Sequence, residues 1–167
     1  MKTQLLLAGL LTLSTSMATH ANSYVSLSVG QADISFSGTD ENSTSFGGNM
    51  GYQFSHYFAV ELSYLNYDRV EVTGIDFTLH SYGINFKAAY PIHRRLDVYA
   101  KAGYANVAID AFNNDEIGTL FDTSKPVFGT GVSWDATQNV ELIVDFSTQQ
   151  TEGENINNIA LGLQFNF

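Results

Sequence analysis

Apolar and polar residues trade places at every second position through most of this chain. In "FAVELSY" Phe58, Val60, Leu62 and Tyr64 share one parity, while Ala59, Glu61 and Ser63 take the other. In "VELIVDF" Val140, Leu142, Val144 and Phe146 oppose Glu141, Ile143 and Asp145, and in "LDVYAKAGY" Leu96, Val98, Ala100, Ala102 and Tyr104 oppose Asp97, Tyr99, Lys101 and Gly103. The chain stops on "NIALGLQFNF", in which Ile159, Leu161, Leu163, Phe165 and Phe167 fall on one side. A period of two marks strands whose faces meet different surroundings. Eight segments of strand length follow from it, near residues 24–31, 46–54, 58–66, 77–90, 96–106, 126–134, 140–147 and 158–167. No segment after residue 21 sustains a 3.6-residue apolar period, so the fold class is all-β.

The junctions alternate in length. "SHY", "PIHRR" and "DATQN" are short, whereas "ADISFSGTDENSTS", "YDRVEVTGID", "VAIDAFNNDEIGTLFDTSK" and "TQQTEGENIN" are long and polar. An even number of strands with short turns at one rim and long loops at the other predicts an eight-stranded antiparallel up-and-down transmembrane β-barrel.

Which parity faces inward separates a membrane barrel from a water-soluble one. A soluble barrel would turn the apolar set inward and leave Glu61, Lys87, Asp97, Lys101, Glu141 and Asp145 outside. Gly47, Gly51, Gly83, Gly103, Gly129, Gly131 and Gly162 lie mostly on the charged parity. An eight-stranded barrel has an interior just wide enough for side chains, so small residues beside long charged ones suit a narrow lumen. On a wet outer face the same glycines would only weaken the strands. The charges are therefore assigned to the lumen and the apolar set to lipid. A soluble, lipocalin-like lipid carrier would need the reverse.

Backbone groups in hydrocarbon cannot stay unpaired, so the last strand must also pair with the first. Aromatics gather at the short-turn rim, where Phe54, Tyr57, Phe58, Tyr90 and Trp134 form one belt. Phe36, Tyr64, Tyr67, Phe77, Tyr82, Tyr104, Phe112 and Phe146 are candidates for the opposite belt.

The N-terminal "MKTQLLLAGLLTLSTSMATHA" carries one early Lys, an apolar stretch and then small residues, the form of a cleaved secretory signal peptide over residues 1–21. Its apolar stretch is shorter than the ~20 residues that a spanning helix needs. Residues 22–167 are then the exported barrel domain. Cleavage removes Lys2 alone among the charged residues, which takes the formal charge from −10 to −11. That sign excludes a nucleic-acid surface. The chain has no cysteine, so it has neither disulfides nor a lipidation site.

"GYQFSHYFAVELSY", "AYPIHRRLDVYAKAGY" and "PVFGTGVSWDATQNVEL" resemble segments of the transmembrane domain of outer membrane protein A and its smaller relatives in Gram-negative bacteria. The resemblance covers nearly all of residues 22–167 except the loops. It implies a barrel in the cell outer membrane, reached through the signal peptide. The terminal Gly162, Phe165 and Phe167 are similar to the signal read by the barrel-assembly machinery, which is thereby implied as a partner. Larger members add a peptidoglycan-binding domain; this chain ends at the barrel, so no cell-wall tether is expected. The family also carries a lumenal network of acids and bases. Glu61 and Lys87 stand where it would have one of each, while Ser133 and Ile143 occupy positions where another pair is expected. The network is expected to be rewired through Lys101, Glu141 and Asp145, either as a structural filling or as a gated ion path.

An enzyme is the competing class, since some small outer-membrane barrels modify lipid A. Such chemistry needs a nucleophile and a base within hydrogen-bond reach. His56 and His93 fall in short turns, and His80 and Ser81 point to opposite faces because neighbours in a strand alternate. Asp110, Asp115, Glu116 and Asp122 in the third long loop offer calcium-type oxygens without EF-hand spacing, so a solvated acidic loop and a calcium site both remain readings of that stretch. The function expected is a monomeric integral outer-membrane protein with a structural or surface-interaction role and at most a narrow, low-conductance pore. It has no cofactor and no catalytic residue, and its surroundings are lipid bilayer and lipopolysaccharide; the alternative is a small lipid-modifying enzyme.

Overall fold

A computed structural model describes residues 22–36, 39–72, 75–111, 124–151 and 154–167; side chains at 34–41, 68–79, 107–123 and 151–154 are left aside. The proposed signal peptide, residues 1–21, lies outside the described residues. The rest forms eight strands: β1 (Ser23–Phe36), β2 (Thr39–Ser55), β3 (Phe58–Val72), β4 (Ile75–His93), β5 (Leu96–Ala111), β6 (Lys125–Asp135), β7 (Val140–Thr151) and β8 (Glu154–Asn166). Each pairs antiparallel with its neighbours in sequence, and β8 returns to β1, closing the barrel. At the seam Val25 is level with Phe165 and Gly30 with Ala160. The Phe167 amide donates to the Ser23 carbonyl at 2.9 Å, carrying the seam to the last residue.

Strand number, order and facing agree with the sequence reading, but strand length does not. The β1–β2, β3–β4 and β7–β8 junctions were expected to be long loops. β1 and β2 instead run on until Phe36 is level with Thr39, β3 and β4 until Val72 is level with Ile75, and β7 and β8 until Thr151 is level with Glu154. β4 reaches 19 residues, well beyond the roughly 9–11 that cross a bilayer. These hairpins therefore stand clear of the membrane. Past the hydrocarbon both faces of a strand are wet, so pairing continues while the apolar alternation that betrays a strand fades. At the other rim the turns are tighter than expected, with only Arg94 and Arg95 between β4 and β5 and only His56 and Tyr57 between β2 and β3.

The burial pattern is inside out. Leu62, Tyr104, Leu161 and Phe146 stand exposed on the outer wall, while Glu61, Asn85, Lys87, Asp145, Gln149 and Gln164 are buried. The buried apolar residues are chiefly tyrosine, alanine and isoleucine. Tyr67, a candidate for the outer belt, is 1% exposed. Residues 64 and 67 take opposite parities, and the irregularity in β3–β4 pairing begins only after Tyr67, so its ring points into the lumen. Tyr64, Tyr82, Tyr104 and Phe146 do face outward. The side chains of Phe36, Phe77 and Phe112 lie outside those described.

Candidate functional site: the lumenal waist

Two rows of residues cross the barrel wall in the same way. In the first, Tyr24 on β1 is level with Gly51 on β2, which is level with Glu61 on β3. In the second, Tyr99 on β5 is level with Gly131 on β6, which is level with Asp145 on β7. Without a side chain on the middle strand, each ring lies across it and its hydroxyl reaches the acid two strands away. Tyr24 donates to Glu61 Oε1 at 2.6 Å and Tyr99 to Asp145 Oδ2 at 2.8 Å. A methyl at Gly51 would run into the Tyr24 ring, and one at Gly131 into the Tyr99 ring. The two rows start four strands apart, half the circumference of the barrel.

The lysines complete the waist. Lys87 and Lys101 are directly opposite on β4 and β5, a placement of like charges that is unfavourable unless each finds an acid. They lean apart. Lys87 Nζ is 3.3 Å from Glu61 Oε1, with side-chain exposures of 11% and 4%, so solvent screens the pair little. The same ammonium donates to Gln164 Oε1 at 3.4 Å and lies 5.1 and 4.3 Å from the centres of the Tyr24 and Tyr99 rings, within cation–π range. Lys101 crosses Gly129, where a Cβ would come 2.6 Å from its Cε, and meets Asp145 Oδ2 at 2.7 Å. Each buried charge thus has an opposite charge, and Glu61, Asp145 and Lys87 each have a further polar or aromatic contact besides, the condition under which buried ions are tolerated.

Of the predicted residues, Glu61, Lys87, Lys101 and Asp145 come together. Glu141 stands apart nearer the short-turn rim, where its Oε1 accepts from Asn166 Nδ2 at 2.6 Å. Tyr24 and Tyr99 were not assigned to the network. Their sequence signal is the lumenal parity of Tyr99 and the glycine opposite each ring, which becomes visible only once strand register is known. Ser133 and Ile143 both face the lumen and are level with one another. A hydroxyl and an aliphatic side chain thus stand level where a second acid–base pair was expected, and Ile143 also fills the space over Gly162.

Beyond the waist, toward the long-strand rim, is a cavity of about 30 Å³ lined in part by Ser63, Tyr67, Asn85, Ser147, Gln149 and Asn158. That is room for ordered water. Asn85 Oδ1 and Gln149 Nε2, an acceptor and a donor, are buried there without protein partners.

On the outer wall His80 stacks on Tyr64 with ring centres 5.9 Å apart, and its Nδ1 is 2.8 Å from the Tyr64 hydroxyl and 3.0 Å from Asn66 Nδ2. Ser81 turns to the lumen and donates to Gln149 Oε1 at 3.1 Å, so the two neighbours part as their parity requires. No group of three metal-ligating side chains occurs among the described residues. The side chains of Asp110, Asp115, Glu116 and Asp122 are outside them.

A closed barrel with an apolar wall and a polar, tightly filled lumen is the architecture of a transmembrane β-barrel. The described chain is of that class. The family model for the outer membrane protein β-barrel domain matches residues 4–167, and the chain belongs to that family. Solved structures with the same fold include Neisserial surface protein A (20% identity, 87% of this chain and 97% of that one, TM-score 0.73). The attachment invasion locus protein Ail of Yersinia pestis, solved in complex with the heparin analogue sucrose octasulfate, is also similar (18% identity, 87% and 98% coverage, TM-score 0.63). So is the N-terminal β-barrel domain of Pseudomonas aeruginosa OprF (22% identity, 86% and 97% coverage, TM-score 0.61). No curated protein matches the chain. The protein is thus an outer-membrane barrel, and the rim of short turns takes the periplasmic side.

Proposed function

We propose that this barrel has a structural or surface-interaction role in the outer membrane and that its lumen is a plug, passing at most a narrow, low-conductance stream of ions. The observation that supports this most is the pairing at the waist. A conducting path needs a continuous column of water or a file of exchangeable sites. Here Lys87 is held by Glu61 against two tyrosine rings and Lys101 by Asp145, and the neighbouring cavity, at about 30 Å³, is small. An ion crossing the waist would have to part at least one buried pair. The hairpins that rise beyond the bilayer stand on the cell exterior, the place where a partner or lipopolysaccharide would be met.

The purified barrel, recorded in planar lipid bilayers, is expected to give brief small openings or none, and Lys87→Met to make openings more frequent. Large, steady, porin-sized currents from the unaltered protein would overturn the plug.

A further inference from the structure

The periplasmic ends of β2, β3 and β4 carry an unusual concentration of exposed rings. Phe54, Phe58 and Phe86 form a triangle on the lipid face, with centres 6.3, 5.9 and 5.5 Å apart. Nearer the rim Tyr57 stacks on Tyr90 at 6.4 Å, and the Tyr57 carbonyl accepts from the Ala89 amide at 2.8 Å, tying one turn to the next strand. Along β4 the outward positions then run Phe86, Tyr90 and Ile92, all exposed. They end at Arg94 and Arg95, which are exposed in the turn. Neither arginine has an ion-pair partner among the described residues. His56 and His93 stand in and beside the same two turns. In a chain whose formal charge is −10, this is a cationic sector directly above an apolar one.

We propose that this sector is a binding site for an anionic glycerophospholipid of the periplasmic leaflet, with the headgroup phosphate on Arg94 and Arg95 and an acyl chain along Tyr90 and the Phe54–Phe58–Phe86 triangle. Charge complementarity selects the occupant. Guanidinium matches phosphate in a two-pronged geometry, and unpaired arginines at the depth of the headgroups can engage a lipid phosphate without breaking an internal pair. The rings supply a flat apolar wall that ends where the cations begin, the profile of a single lipid seen from the side. The rest of the periplasmic rim differs, because the β6–β7 turn, residues 136–139, carries no charge and follows Asp135. The site depends on membership of the outer-membrane family and on orientation, and is independent of whether the lumen conducts.

The test is native mass spectrometry of the folded barrel released from detergent after incubation with an equimolar mixture of dioleoyl phosphatidylglycerol and dioleoyl phosphatidylcholine. A basic residue near an anionic lipid surface favours it roughly fivefold, so the phosphatidylglycerol adduct is expected in about tenfold excess or more. Arg94→Gln with Arg95→Gln should bring the two lipids to parity, Lys125→Gln at the opposite rim should leave the preference unchanged, and Phe86→Ala should lower retention of both lipids without altering their ratio. Heat-modifiable gel migration reports that each variant is folded. Equal adducts on the unaltered protein would overturn the site. So would a preference that survives the arginine changes, or displacement of phosphatidylglycerol by millimolar inorganic phosphate, which would point to a soluble anion.

Discussion

At the scale of single residues, the waist depends on absence as much as presence. Tyr24, Lys101 and Tyr99 occupy the space left by Gly51, Gly129 and Gly131 on the neighbouring strand, so each large lumenal side chain is bound to a small partner by register. Gly131→Ala is expected to displace the Tyr99 ring, lengthen its bond to Asp145 and cost about 1–3 kcal/mol, the usual penalty for overpacking. Denaturant titration of the refolded barrel reads it directly. Lys87→Met removes one partner of a buried pair and is expected to cost about 3–5 kcal/mol, because Glu61 keeps only the Tyr24 hydroxyl. Adding Glu61→Gln should restore part of the loss. A double variant no more stable than Lys87→Met would remove that pairing from the account. The sequence revealed the four charges by parity, whereas it concealed the part played by Tyr24 and Tyr99, because parity puts Tyr99 in the lumen without showing which acid its hydroxyl reaches, and Tyr24 has no acid beside it until register is known.

Elements were legible wherever hydrocarbon lies on one side and packed side chains on the other. That contrast made β3, β5, β7 and β8 readable as alternating strands. It failed for the outer thirds of β1, β2, β3 and β4, whose polar residues read as loops although their backbones stay paired. Tyr67 is hidden for a related reason, since an aromatic near the rim reads as a belt residue although its place in the alternation is lumenal. The facing itself is open to a sharp comparison on β7. Leu142 is 43% exposed on the lipid wall, while Ile143 beside it is 5% exposed in the lumen. Arginine near the middle of the lipid face costs about 2–4 kcal/mol. Leu142→Arg should therefore deplete folded barrel from membrane fractions much more than Ile143→Arg, whose side chain would enter the lumen on the same side of β7 as Asp145. Equal depletion would mean that the two faces are exchanged.

At the scale of the whole molecule, closure connects the earliest strand to the latest across nearly the full chain. β1 must wait for β8, and the backbone bond from Phe167 to Ser23 lies at the end of that seam. Deleting Phe167, or replacing it with Asp, is expected to lower the amount of compact, heat-modifiable barrel recovered from outer membranes, because the last strand has to be held while the seam forms. Unchanged recovery would show that the terminal aromatic is dispensable for assembly. Barrel class, strand number and closure were all readable from alternation and turn spacing, while the register that builds the waist was not, since a period of two says which face a residue takes and nothing about its height.

The four charges of the waist have an electrical consequence. Glu61 and Asp145 balance Lys87 and Lys101 within one layer of the lumen, so the plug as a unit carries no net gating charge. A field across the membrane does work on a moving charge of about 2.3 kcal/mol per elementary charge per 100 mV, and on a neutral body that shifts as one piece it does almost none. Openings in which the layer shifts with its pairs intact should therefore occur with equal frequency at either polarity of applied voltage. Lys87→Met leaves the same layer with one uncompensated negative charge, and its openings should become asymmetric in voltage, more frequent at one polarity than at the other.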